Sequence, residues 1–93
     1  MLAKAIQVLM MFDIANIYLG NSISITAMVS NSNNEIIAGT VDVYINSTFI
    51  GTKNIAEPFT YTPSELGKHN IEARFNEDST YNASSGKASF NIA

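Results

Sequence analysis

Ile23, Ile25, Ala27 and Val29 alternate with Ser24, Thr26 and Met28, the period of two that a strand shows when one face is buried and the other is wet. This pattern constrains the fold more than any other feature because it recurs along the chain. Beyond the polar turn Asn31-Ser32-Asn33-Asn34-Glu35, Val41, Val43 and Ile45 face one way while Asp42, Tyr44 and Asn46 face the other. Asn46-Ser47 then forms a tight turn into Thr48-Phe49-Ile50-Gly51-Thr52, predicting a hairpin whose second strand ends around Ile55. His69, Ile71, Ala73 and Phe75 alternate with Asn70, Glu72 and Arg74, and Ala88, Phe90 and Ile92 with Ser89 and Asn91. These give two further strands.

The remaining segments are read from turn chemistry. Pro58 and Pro63 bracket Phe59-Thr60-Tyr61-Thr62, and because proline cannot donate to a ladder the piece should be a short edge strand. Thr62-Pro63-Ser64-Glu65-Leu66-Gly67 has a capping hydroxyl, a proline suited to the first helical position and a terminal glycine, which predicts one helical turn. Tyr81 is the expected anchor of the loop that starts at Asn76. At the start of the chain Ile6, Val8, Met10, Phe12 and Ile14 alternate, while the intervening residue types are good helix formers. The all-β remainder favours a first strand there, continued after a bend near Ala15-Asn16 by Ile17-Tyr18-Leu19. Gly20, Gly39, Gly51, Gly67 and Gly86 are all expected at or near strand ends. About seven antiparallel strands at short spacing predict an all-β, two-sheet sandwich.

With 93 residues, the chain has room for one core, and a domain of this size buries only about 60–65% of its unfolded surface. One domain over residues 1–93 is therefore expected, with 1–19 as the first-strand region and 20–93 as the module proper. A net charge of −3 without a block of one sign argues against a nucleic-acid partner. The absence of cysteine removes disulfides and thiolate zinc sites from consideration. The apolar run from Ala5 to Phe12 resembles a signal-peptide core, but Asp13 follows without a small-residue cleavage site. The run is also far short of the roughly 20 residues that span a bilayer, so no membrane insertion is expected.

From Gly20 to Ile92 the pattern resembles the bacterial and archaeal Ig-like repeat family of long surface and adhesin-like proteins. Gly39-Thr40-Val41-Asp42-Val43-Tyr44-Ile45 is similar to that family's glycine followed by a V-x-V strand, and Phe49-Ile50-Gly51-Thr52 to its "LGT" step. Leu66-Gly67-Lys68-His69-Asn70-Ile71-Glu72-Ala73-Arg74-Phe75 resembles its "L-x-G-x-H-x-I-x-A-x-Y" strand, with glycine directly after leucine and Phe75 in place of tyrosine. Asn76 to Ser84 resembles its "x-G-D-x-x-Y-x-x-S" loop, with Glu77 in the glycine position. The cysteine pair and tryptophan of antibody domains are missing. The resemblance implies an immunoglobulin-like β-sandwich acting as a non-catalytic structural or adhesive module of an extracellular, cell-surface protein. It also implies neighbouring Ig-like modules as partners.

No catalytic residue, cofactor or metal is expected. His69 is the only histidine, its alternation turns it inward, and packing is favoured over general-base chemistry. Asn76, Glu77, Asp78 and Ser79 offer oxygens to calcium but lack EF-hand spacing, so a solvated turn is the stronger reading. Tyr18, Tyr44, Phe49, Phe59 and Tyr61 could present an aromatic face to a sugar, although Phe59 and Tyr61 are expected to cover the core. Two sequons, Asn46-Ser47-Thr48 and Asn82-Ala83-Ser84, make Asn46 and Asn82 candidate glycosylation sites. The second expected function class is recognition of a host or neighbouring glycan or protein through the loops Asn31 to Ile37 and Asn76 to Ser85. A third is an accessory domain of a polysaccharide-active enzyme. The isolated module is expected to be monomeric.

Overall fold

The computed structural model describes residues 17–31, 33–77, 79 and 81–93, together with the backbone of residues 6–13. Seven strands follow in order: β1 (Ile6–Asp13), β2 (Ile23–Asn31), β3 (Thr40–Ile45), β4 (Thr48–Asn54), β5 (Phe59–Tyr61), β6 (Gly67–Phe75) and β7 (Ser84–Ile92). They form a three-stranded sheet, β1-β2-β5, and a four-stranded sheet, β4-β3-β6-β7. Each pairing of named strands is antiparallel. This is the predicted sandwich.

The alternating residues supply its core. Ile23, Ile25, Ala27 and Val29 come from the three-stranded sheet, and meet Val41, Val43, Ile45, Ile71, Ala73, Phe75, Phe90 and Ile92 from the other. Removing each large aliphatic side chain from water contributes about 1.5–3 kcal/mol. In the hydrophobic core cluster, Ile37, whose N–H donates to Val29 O, and Ile55, whose N–H donates to Gly39 O, come from outside the named strands. The expected edge strand is β5, with Phe59 and Tyr61 packed against the core as predicted. Tyr81 anchors its loop, meeting Phe75 edge-on at 6.4 Å between ring centroids.

Three expectations are corrected. The helical turn at 62–67 is absent: the chain is irregular until Gly67, which opens β6. Thr62 does not cap; its hydroxyl shares a 2.7 Å hydrogen bond with the Ser22 hydroxyl, 40 residues away. Gly67, at φ 97, uses its conformational freedom to start a strand rather than to stop a helix. Second, β7 begins at Ser84 rather than near Ala88, because Phe75↔Ser84 through Ile71↔Ala88 extends the ladder with β6. Third, Gly51 lies at the middle of β4, not at or near a strand end. Gly51 adjoins a bulge where Val43 pairs with Gly51 but Tyr44 pairs with Phe49, so that Ile50 is the extra residue.

The first strand lies where the alternation predicted it, with its partner now defined: β1 pairs with β2 from Ile6↔Asn31 to Asp13↔Ser24. The anticipated bend at Ala15-Asn16 lies outside the described residues. The segment that follows turns to the other sheet, where Leu19 N–H donates to Ala93 O at 3.0 Å and Ala93 N–H to Ile17 O at 3.1 Å. That is the bonding pattern of a parallel pair. β1 ends opposite Ser24, at the pole where Ser22 meets Thr62 and where Gly67 pairs with Ile92 at the end of β7, so β1 and β7 run in the same direction from one pole of the sandwich to the other.

Candidate functional site

The outer face of the four-stranded sheet brings aromatic, acidic, basic and amide side chains together. Register sets them out in rows across the strands, because directly opposed residues share a face. One row runs Phe49–Tyr44–Glu72–Lys87 from β4 to β7. The next, on one side, runs Thr52–Asp42–Arg74–Ser85. On the other side come the Asn46-Ser47 turn, Asn70 and Ser89. The bulge at Ile50 sends that side chain toward the core and leaves Phe49 outward beside Tyr44, with ring centroids 5.4 Å apart.

Arg74 ties the first two rows together. Its guanidinium carbon lies 4.4 Å from the centroid of the Tyr44 ring, a cation–π distance. Its Nε and Nη2 donate to the two Glu72 oxygens at 3.1 and 3.2 Å. This hydrogen-bonded Arg74 holds the Glu72 carboxyl below its ordinary 4.5. Asp42 accepts from Thr52 Oγ1 at 2.8 Å and from Asn76 Nδ2 at 3.1 Å, and these bonds, Thr52 first, hold its carboxyl below the ordinary 3.8. Beside this network lies an open groove of about 260 Å3 lined by Tyr44, Ser47, Asn70, Ile71, Glu72, Lys87 and Ala88.

The residues singled out from sequence are mostly dispersed. His69 is buried, stacks on Phe90 at 5.4 Å and 12°, and places Nδ1 3.1 Å from Gly67 O. Phe59 faces inward, with Lys53 Nζ 5.2 Å from its ring centroid. Tyr18 stays exposed at the pole where β7 ends. Of the proposed aromatic face, Tyr44 and Phe49 stand together on the outer surface, while Phe59 and Tyr61 both pack against the core. Asn46 and Asn82 are both exposed. Asn46 heads a two-residue turn in which it and Ser47 have φ 51 and 68, the pair of left-handed conformations that a tight hairpin needs. Its Oδ1 accepts from Asn70 N–H at 2.9 Å while its own N–H donates to Asn70 O at 2.8 Å.

Of the two candidate recognition loops, the first is tied to itself: Asn31 Oδ1 accepts from the N–H groups of Asn33 and Glu35. In the second, Asp78 lies outside the described residues. Among the described residues, no three His, Cys, Asp or Glu side chains come close enough to hold a metal ion together. What sequence reasoning missed is the groove, whose lining combines Tyr44 and Ser47 with residues 70–72 and 87–88; strand register assembles them, and no motif marks it.

Comparison with solved structures finds the CARDB domain of a Pyrococcus furiosus protein, determined in complex with di-metal ions. The likeness has a TM-score of 0.66 at 16% identity over 97% of this chain and 94% of that one. It shows a shared fold. A comparison with curated protein sequences finds no match. The profile of the bacterial Ig-like domain (group 3) matches residues 13–93, which takes in β2 to β7 and all of the outer face just described. The chain belongs to that family of bacterial Ig-like domains.

Proposed function

We propose that this Ig-like domain is a spacer and adhesive-stalk module of a larger, extracellular surface protein, repeated end to end and carrying tension along its strands. The observation that carries this reading is the placement of the chain's entry and exit. β1 starts beside Asn31 at one pole, and β7 ends beside residues 17–19 at the other, on a body whose longest dimension is 47 Å. A pull applied through the two ends acts along the strands. It must then shear the β1–β2 ladder as a unit and, once β1 is away, break the paired bonds at Ala93, instead of peeling either apart singly.

The surface at the exit pole fits a following module. Tyr18, Leu19 and Leu66 expose 55%, 48% and 64% of their surface around the end of β7, and exposed apolar residues grouped in one place mark contact surfaces. Ig-like domain families are generally non-catalytic, and bacterial Ig-like domains are commonly extracellular or at the surface. Both facts support the same reading, as do exposed sequons at Asn46 and Asn82, which would carry glycans outward. The test is single-molecule extension of tandem copies joined end to end. One distinct high-force rupture per module is expected. Extension at the low force typical of peeling would overturn the proposal.

A further inference from the structure

We propose that the groove on the outer face of the four-stranded sheet is a saccharide-binding site for a neutral hexose unit of a surface polysaccharide, with Tyr44 as its stacking wall. Arg74 covers the Tyr44 ring from the row that holds Asp42 and Ser85, whereas Ser47 and Asn70 come from the row on the opposite side. The ring is thereby braced on one side and walls the groove on the other. An aromatic ring presents a flat apolar surface to the C–H face of a sugar. Around it stand hydrogen-bonding groups of both kinds: the Glu72 carboxylate accepts, the Lys87 ammonium donates, and the Asn70 amide and Ser47 hydroxyl do both. A sugar's hydroxyls also donate and accept, so each can be matched.

Two features narrow the ligand. The groove, at about 260 Å3, falls just below the ~300–1,000 Å3 of drug-sized pockets, which suits one sugar ring and not a folded partner. The charges nearest in register, Asp42, Glu72, Arg74 and Lys87, cancel, and the whole chain is at −3; both favour an uncharged polyol over uronic or sulfated sugars. Phe49, 54% exposed next to Tyr44, extends the apolar strip toward β4. A second linked sugar can lie there, so disaccharides should bind more tightly than monosaccharides. Arg74 acts as a positioning residue: it fixes both the Tyr44 ring and the Glu72 carboxylate before any ligand arrives, which lowers the ordering cost of binding.

This site is independent of the mechanical role, and failure of either leaves the other standing. The test is NMR titration of the intact 93-residue domain with glucose, galactose, mannose, the disaccharides maltose, cellobiose and lactose, and glucuronate as the acidic comparison. Expected are saturable shifts for at least one neutral sugar, centred on the amides of Tyr44, Asn70, Glu72 and Lys87 and tighter for a disaccharide. Tyr44→Ala should weaken binding at least tenfold. Phe49→Ala, at an exposed position where the fold is not at risk, should remove the disaccharide's advantage while leaving monosaccharide binding in place. Arg74→Gln should weaken binding several-fold, with the spectrum of the free protein confirming an intact fold. No shifts at up to about 50 mM sugar, far above the millimolar dissociation constants expected for so shallow a site, would overturn the proposal. So would shifts centred elsewhere on the surface, or binding of glucuronate alone.

Discussion

At the scale of single residues, the most informative pair is Asn46-Ser47. Both adopt left-handed backbone conformations, which for most side chains cost roughly 1–2 kcal/mol each. Asn46 offsets part of that cost with its own side chain, because Oδ1 takes the Asn70 N–H as the β3–β6 ladder ends. Ser47 has no such compensation among the described hydrogen bonds. The two positions should therefore respond in opposite directions. Asn46→Ala is expected to lower unfolding stability by about 1–2 kcal/mol, combining one lost hydrogen bond with an uncompensated left-handed residue. Ser47→Gly should raise it by up to about 1 kcal/mol by completing the Asn-Gly turn. Urea denaturation of the two variants reads both signs. The carboxylates of the outer face give a second expectation. Asp42 and Glu72 have folded-state pKa values lowered below 3.8 and 4.5, so the unfolded chain binds more protons than the folded one as pH drops. Their contribution to stability is in full force above the ordinary values and is lost as pH falls through the lower, folded ones. The melting temperature should thus change little from neutral pH to about 5 on account of these groups and fall below about 4. Thr52→Val, which removes the larger cause of the Asp42 shift, should make that acid decline shallower in melting curves recorded against pH.

Among elements, legibility in the sequence follows how local the deciding interaction is. β2, β3 and β6 are written in their alternation because one sheet face is buried and the other is not, and each residue's direction is set by its neighbours. The Asn46-Ser47 hairpin is legible for the same reason. The segment from Thr62 to Gly67 carries the local chemistry of a helical turn, yet Ser22 holds the Thr62 hydroxyl and Pro63 is buried. A contact 40 residues away outweighs one turn of helix, which is costly to nucleate. The first half of β7, Ser84-Ser85-Gly86-Lys87, has no apolar alternation to announce it; its ladder is dictated by β6. The groove was illegible in the same sense, since it depends on the register between three strands. β1 was legible as a strand, and its importance follows from its partner. It is the long neighbour of β2 within its sheet, β5 pairing with β2 over only Ile23 to Ile25. Removing residues 1–13 should leave β2 with one three-residue partner and an open edge of unpaired backbone groups. A large fall in melting temperature is expected, with concentration-dependent association by light scattering. An unchanged melting curve would show that β2 needs no β1, even though nearly all of β1 precedes the family match at residue 13.

For the molecule as a whole, the pathway of force separates its two fastenings. Tension entering at Ile6 first meets the β1–β2 ladder, which lies parallel to the pull and must shear. If β1 comes away, the pull passes to residues 17–19 and their two bonds with Ala93, behind which the core is still closed. Extension should therefore show two events: a small lengthening as β1 detaches, then the main rupture when the Ala93 pair breaks and the sheets separate. The two can be told apart chemically, because proline has no N–H to donate. Leu19→Pro deletes the Leu19-to-Ala93 bond, and Leu19 is 48% exposed, so little packing goes with it. In a thermal melt the change should cost about the 0.5–1.5 kcal/mol of one hydrogen bond, since heat opens the whole core and this bond is a small part of it. Under a steady pull the same bond is half of the pair that resists the second event. Leu19→Pro should lower the main rupture force markedly and leave the first lengthening where it was, whereas loss of residues 1–13 should abolish the first event and spare the second. A main rupture force unaffected by Leu19→Pro would place the resistance in the sheets themselves and not in the contact between the chain's first crossing and its last residue.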